Sequence, residues 1–524
     1  MTAYRPASPL PPRVLLGGGL ALAAILALVL GSLAMVLGRA GETDGLGPAD
    51  WRALRFTVVQ ATLSALLSVG LALPVARALA RRRFPGRGLL TTLLGAPFLL
   101  PVIVAVIGLL TVWGRSGWVS DVSLSLGGPR MDIYGMPGVL LAHVFFNLPL
   151  AARLILQGYA QVPPERWRVA AQLGLEGWSL FRAVEWPAIR GVLPGAAALV
   201  FLVCATSFAV ALTLGGGPRA TTLELAIYEA ANYSFDLGRA ARLAALQLAV
   251  CAGAALLAFA LAAPVTAAPG TLVLVERWDG RGAGAKSFDM LVLVAVSVFL
   301  ALPVAALAVR GSMGVLELPV GVLWAAVRSL CVAVLSTVLC LGLSLGLAAL
   351  IAGLKARGWG ARAVDLAALS PLAASPFVLG IAAILALRGL ADPFALALPL
   401  TALVNALSAA PFAVRALEPA IRQADAEHGR LADSLGLQGV GRLRAVYGGR
   451  LKAPLGFAGG LAAALSLGDL GVIALFARAD APTLPLAMHQ LASARQLDAA
   501  HGAALVLVVL TFCAFYAFDR WGRS

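Results

Sequence analysis

Four histidines, five cysteines, one near-miss phosphate loop and one acid deep in an apolar run are the residues of this chain whose chemistry could reach beyond packing. His143, His428, His489 and His501 stand on separate stretches with no metal-ligand spacing among them, so neither a hydrolytic nor a metal centre is expected. Cys204, Cys251, Cys331, Cys340 and Cys513 all lie inside apolar runs without a C-x-x-C pair, where they serve as small hydrophobes. The stretch GRGAGAKS, Gly280 to Ser287, differs from the phosphate pattern G-x4-G-K-[ST] in carrying Ala285 where the last glycine belongs. That glycine lets backbone amides close on phosphate, so a solvated linker is expected here and any ATP would be bound by another chain. No catalytic residue, metal or cofactor is expected.

Asp469 is the acid, flanked by Gly468 and Gly471. A carboxylate at membrane depth is costly enough to demand a role. Either it lines a pathway and favours a cationic solute, or it accepts backbone amides freed where a helix breaks; the second is favoured. With the chain laid on itself at an offset of 262 residues, Ser207 takes its place in the first half, so such a pathway would be electrostatically lopsided.

A polar insert is more distinctive. VAAQLGLEGWSLFRAVEWP, Val169 to Pro187, recurs in weaker form as LADSLGLQGVGRLRAVYGG, Leu431 to Gly449. In the first copy, Pro163 and Pro164 suit a helix start, Glu165 faces the positive end of the helix dipole, and Gly174 suits a left-handed stop. A second helical turn should run from Trp178 through Phe181 to Glu185, with Trp178, Phe181 and Val184 on one face, until Pro187 ends it. The physics of these residues suits both an amphipathic helix lying on lipid and one entering a groove on a partner protein.

The elements that position these residues are membrane spans. With 60% hydrophobic and 12% charged residues and a mean hydropathy of +0.91, the chain lies far from soluble domains. Apolar runs long enough to cross a bilayer suggest an all-α polytopic membrane protein of about twelve helices, near 14–38, 56–78, 89–112, 134–157, 193–213, 240–262, 288–309, 322–352, 364–387, 394–413, 455–476 and 501–518. The first run exceeds a signal-peptide core and is expected to be a retained anchor.

The net charge of +15 follows topology, because Arg and Lys cluster in alternate loops: 80–87, 153–190, 355–362, 415–453 and the C-terminal Arg520 and Arg523. By the positive-inside rule these loops and both termini are cytoplasmic, and nucleic acid is not a partner. The opposite loops, around 113–134, 214–239 and 477–500, are short.

At the same offset Gly174 falls on Gly436, Gly177 on Gly439, Arg182–Ala183–Val184 on Arg444–Ala445–Val446, and Pro149 on Pro411. Six spans per half put both inserts on one side, so the halves are parallel repeats. They divide as residues 1–264 and 288–524, joined by a cytoplasmic linker at 265–287.

The inserts resemble the cytoplasmic loop of binding-protein-dependent ABC importer permeases, whose pattern is E-A-A-x3-G-x9-I-x-L-P. Ala170, Gly174, Val184, Trp186 and Pro187 answer that pattern, whereas Arg168 and Arg430 hold the Glu slot and Gly449 replaces the final Pro in the second copy. The resemblance implies coupling helices that dock into two copies of an ABC ATPase subunit. Ala170, Ala171, Gly174, Phe181, Val184 and Pro187 would serve in the first loop, and Ala432, Gly436, Leu443 and Val446 in the second. Asp469 and Ser207 would flank the substrate pathway.

Further stretches, RRRFPGR (81–87), LLAHVFFNLPLAARLILQ (140–157), LGGGPRATTLELAIYEA (214–230) and LSLGDLGVIALF (465–476), are similar to fused two-half permeases that carry thiamine-class solutes; those of ferric-iron importers share the architecture. The resemblance implies a transport subunit, not an enzyme, in the bacterial inner membrane. A periplasmic solute-binding protein would supply the small-molecule substrate. An ion-coupled secondary transporter is the rival class, but it needs ion-coupling groups within the spans, where only Asp469 stands out.

Overall fold

The computed structural model describes residues 12–40, 45–95, 99–215, 217, 220–261, 277–356, 361–387, 390–437, 439–476 and 481–524. The expected linker is thus described only from Arg277 onward. Among the described residues every regular element is helical. A backbone in hydrocarbon must satisfy its polar groups internally, and a helix does so within one segment.

The first half contains α1 (Pro12–Ala40), α2 (Pro48–Arg81), α3 (Val102–Trp113), α4 (Met136–Ala160), α5 (Pro164–Gln172), α6 (Leu193–Ala205), α7 (Ala209–Leu214), α8 (Leu223–Asn232) and α9 (Leu237–Leu261). The second contains α10 (Ala283–Gly314), α11 (Val320–Ala356), α12 (Pro376–Leu387), α13 (Ala397–Ser434), α14 (Lys452–Leu467), α15 (Gly471–Phe476), α16 (Leu484–Ser493) and α17 (Leu497–Arg523). Among the described residues nine helices are long and apolar enough to cross a membrane, Gly177–Ile189 and α6 reach that length only as a pair bent by 57°, and α12 and α14 are shorter apolar helices. Each of the twelve expected stretches contains helix among its described residues, though several are broken and their lengths are unequal. The 34 residues of α2 reach about 51 Å at 1.5 Å per residue, well past a hydrocarbon core of about 30 Å.

Each half is built on the same trio: α2, α4 and α6 pack together in the first, and α11, α13 and α14 in the second. The leading helix of each half then reaches across. Helix α1 packs on α11 and α12, while α10 packs on α2 and α3. The α10–α17 contact is so close that a Cβ on Gly314 would lie 1.9 Å from the Asp498 carbonyl oxygen, and only glycine fits.

The repeat is visible in single hydrogen bonds. Thr57 on α2 accepts the Leu223 amide at 2.8 Å, and Ser329 on α11 accepts the Leu484 amide at 2.8 Å. In this way a hydroxyl from the second helix of each half anchors the first residue of α8 or α16. Both lie in stretches expected to be short outer loops. They are helices with buried faces because each carries apolar residues at helical spacing, Leu223, Ala226, Ile227 and Ala230 in α8 and Leu484, Ala487 and Met488 in α16.

Candidate functional site

The inserts fold as the glycine spacing predicts. Helix α5 ends with Gly174 at φ +61°, with the Gly174 amide donating to the Ala171 carbonyl and the Leu175 amide to the Ala170 carbonyl. The second copy repeats this turn with Gly436 at φ +63°, donating to Asp433, and Leu437 donating to Ala432. These paired bonds form a Schellman motif, in which a left-handed residue lets the chain satisfy the last carbonyls of a helix.

Beyond the turn a helical segment spans Gly177–Ile189, widened to a π-turn at Phe181–Glu185. Pro187 does not end it, contrary to expectation. The second insert has the same widened turn at Leu443–Gly448 with Gly449 in the proline's place. The wide turn therefore belongs to the insert itself, and Pro187 sits just past it, where the looser winding accommodates its ring.

The approach to the turn differs between copies. Pro163 and Pro164 separate α4 from α5, whereas Asp425 and Ala426 stand at those positions in the second copy and α13 runs unbroken to Ser434. Without a proline nothing removes the helical amides there.

Both inserts turn apolar side chains outward. Val169, Leu173, Trp178 and Trp186 are exposed on the first, and Leu431, Leu435 and Leu443 on the second. Val169 matches Leu431 and Leu173 matches Leu435 at the repeat offset. Of the expected coupling residues, Ala171, Gly174 and Pro187 are exposed, Phe181 and Val184 half-buried, and Ala170 buried. In the second copy Gly436 and Leu443 are exposed, and Ala432 and Val446 buried. Trp178 stacks on Phe181 with centroids 5.2 Å apart, fixing the ridge. Sequence reasoning passed over Val169, Leu173, Leu431 and Leu435, although their i, i+4 spacing was the available signal.

The other face of the first insert is held by buried charge. Glu185 pairs with Arg77 on α2 at 2.9 Å and with Arg277. Arg277 also pairs with Asp279 at 2.9 Å and lies 4.3 Å over the Trp167 ring, while the Trp278 indole donates to the Leu175 carbonyl. Arg81 joins Asp279 to Asp289 on α10, and Arg82 donates to both Asp289 and the Gly280 carbonyl. Burial by itself would raise the Asp279 carboxyl, but hydrogen bonding and charge from Arg277, then from Arg81, hold it below the usual aspartate range.

The described end of the linker, expected to be solvated, is thus buried at Arg277 and Gly280, and α10 already starts at Ala283. The near-miss phosphate stretch is occupied accordingly. Its first carbonyl is bound by Arg82, and Ala285 to Ser287 are helix.

Asp469 and Ser207 both fall where a span breaks, between α14 and α15 and between α6 and α7. Asp469 accepts the Val472 amide at 3.3 Å, as the capping role requires. At the first break Gln60 donates to the Cys204 carbonyl and Gln247 to the Ala205 carbonyl, each at 2.9 Å. Side chains from neighbouring helices thereby satisfy the freed backbone.

Each break packs against the other half. Phe208 lies 4.6 Å from Phe377, and a Cβ on Gly468 would come within 3.1 Å of Pro101. Asp469 is half-buried, whereas Glu224 on α8 is fully buried, accepts from Gln247 at 3.2 Å and was missed because its stretch reads as a loop.

Paired inserts with outward apolar ridges, set beneath broken spans that close a seam between two like halves, define a multi-pass membrane permease of the ABC importer class. The thiamine transport system permease protein ThiP of Brucella abortus (strain 2308) is 42% identical over 524 residues, 97% of this chain and 95% of that protein. ThiP of Escherichia coli (strain K12) is 40% identical, covering 98% and 97%, and that of Haemophilus influenzae (strain ATCC 51907 / DSM 11121 / KW20 / Rd) is 35% identical, covering 95% of each. No family model matches the chain. Similarity of this extent places the chain plainly: it belongs to the family of thiamine transport system permease proteins.

Proposed function

We propose that the chain imports thiamine, its phosphates or both, as the permease subunit of a binding-protein-dependent ABC importer in the bacterial inner membrane. Both termini and both inserts face the cytoplasm, and residues 1–264 and 288–524 form the two halves. The observation that carries this reading is the pair of Schellman-capped inserts with exposed apolar ridges at matching positions. Exposed apolar ridges on short, rigidly held helices suit grooves on a partner. Two like ridges suit two copies of one ATPase subunit.

ATP is hydrolysed in that partner. Closure of the two ATPase copies draws the inserts together, and the halves move about the seam where Phe208 meets Phe377. Binding energy for ATP thereby shifts the permease between inward and outward access. A periplasmic solute-binding protein delivers the solute, and Asp469 and Ser207 flank its path.

Complementation tests the reading. In a strain that cannot make thiamine and lacks its own importer, the chain expressed with its ATPase and binding protein should restore growth on low external thiamine. No growth despite a normally inserted permease would count against it.

A further inference from the structure

Glu224 is the observation that the proposed function leaves unused. It projects from α8, has no solvent exposure, and keeps one carboxylate oxygen, Oε2, without a hydrogen-bond partner. The other oxygen accepts from Gln247, the same side chain that satisfies the broken first span, and Ser375 of the second half faces the carboxylate. A buried acid is costly and persists only where something else is gained.

Three rings lie at the same junction. Tyr228, one turn along α8 from Glu224, sits edge-on to Phe208 with centroids 5.2 Å apart, and Phe208 meets Phe377 across the halves. Gly471 leaves room for this cluster, because a Cβ there would lie 3.0 Å from Phe377 and 3.6 Å from Phe208. Tyr228 also forms part of the wall of a cavity of about 680 Å³ at the Pro48 end of α2, opposite the inserts, where Arg239 is paired with Asp50. Tyr228 thus connects the cavity wall to the ring cluster and lies one turn of α8 from the buried carboxylate.

Aromatic faces and a carboxylate attract the same kind of solute, an organic cation with a flat, weakly hydrated ring. We infer that Glu224, with Phe208, Tyr228 and Phe377, forms a transient cation-binding site at the seam that recognises the thiazolium ring of thiamine as the halves part. This rests on the proposed function for the identity of the solute. The second half offers no equivalent charge, since Pro485 follows the anchored Leu484 where Glu224 follows Leu223. The site is one-sided, so a single cation is held once per cycle.

The test uses the complete assembly of permease, ATPase and binding protein in proteoliposomes with labelled thiamine. Glu224→Gln should lower thiamine uptake by about tenfold or more at equal protein abundance, Glu224→Asp should retain most of it, and Phe377→Leu should cause a smaller loss. Uptake by Glu224→Gln within about twofold of wild type would overturn the inference.

A second measurement needs no variant. Wild-type permease with its ATPase, in detergent and without the binding protein, should bind thiamine about tenfold more tightly than a neutral analogue with a thiophene ring in place of thiazolium. Equal affinity for the two would overturn the inference even if Glu224→Gln failed to accumulate. Loss of thiamine uptake by the wild-type assembly strikes the functional reading instead, and the charge preference in binding separates the two failures.

Discussion

Arg277, the first described residue of the linker, lies over the Trp167 ring at 4.3 Å and pairs with Glu185 on the far side of the same insert. One side chain from the segment entering the second half thus holds both arms of the first half's insert. Both charges are buried. Arg277→Ala should leave Glu185 poorly compensated and cost about 3–5 kcal/mol. The expected result is a clear fall in melting temperature and abundance. The paired change Arg277→Met with Glu185→Leu should recover much of the loss, because it removes both charges together.

The same cluster fixes a pH dependence. The folded-state value of Asp279 is depressed, so its stabilisation is complete above the ordinary aspartate value of about 3.9 and is lost only as pH falls through the lower folded value. Hydrogen exchange of the amides in 164–189 should therefore show protection that is constant from about pH 5 to 8, once corrected for intrinsic rates.

Gly174 and Gly436 hold left-handed backbone at φ +61° and +63°, and the amide of each donates a hydrogen bond. Proline can supply neither feature. Gly174→Pro and Gly436→Pro should each lower uptake by about tenfold or more while leaving the protein in the membrane, with Gly174→Pro the more damaging because the first insert keeps more of the loop pattern and both its aromatic anchors. Uptake assays normalised to membrane abundance decide it.

Asp469 spends one oxygen on the Val472 amide. Asn retains an acceptor of the same shape and Leu does not, so Asp469→Asn should accumulate and transport near wild-type level while Asp469→Leu should accumulate poorly. Abundant Asn protein with negligible uptake would assign the charge itself to the solute's path.

What could be read from the sequence was whatever rests on local pattern. Apolar runs placed the spans, and Gly174 and Gly436 announced their turns. The failures share a cause. Glu224 sits in a stretch with a Gly-rich start that reads as a loop, and only the surrounding helices α2, α9 and α12 show that it is buried. The crossing of α1 and α10 between halves leaves no periodic trace, because lipid-facing and protein-facing surfaces are both apolar. The docked linker was missed because Arg277 and Asp279 look solvated until Glu185 and Arg81 are brought beside them by the fold.

The most direct test of the account is uptake of labelled thiamine into proteoliposomes holding this chain, with the ATPase subunit, the binding protein and internal nucleotide each added or withheld. The account predicts that the chain alone shows no ATPase activity and no uptake, and that accumulation requires all components together with ATP on the insert side. Accumulation by the chain alone, driven by an ion gradient and indifferent to ATP, would contradict it.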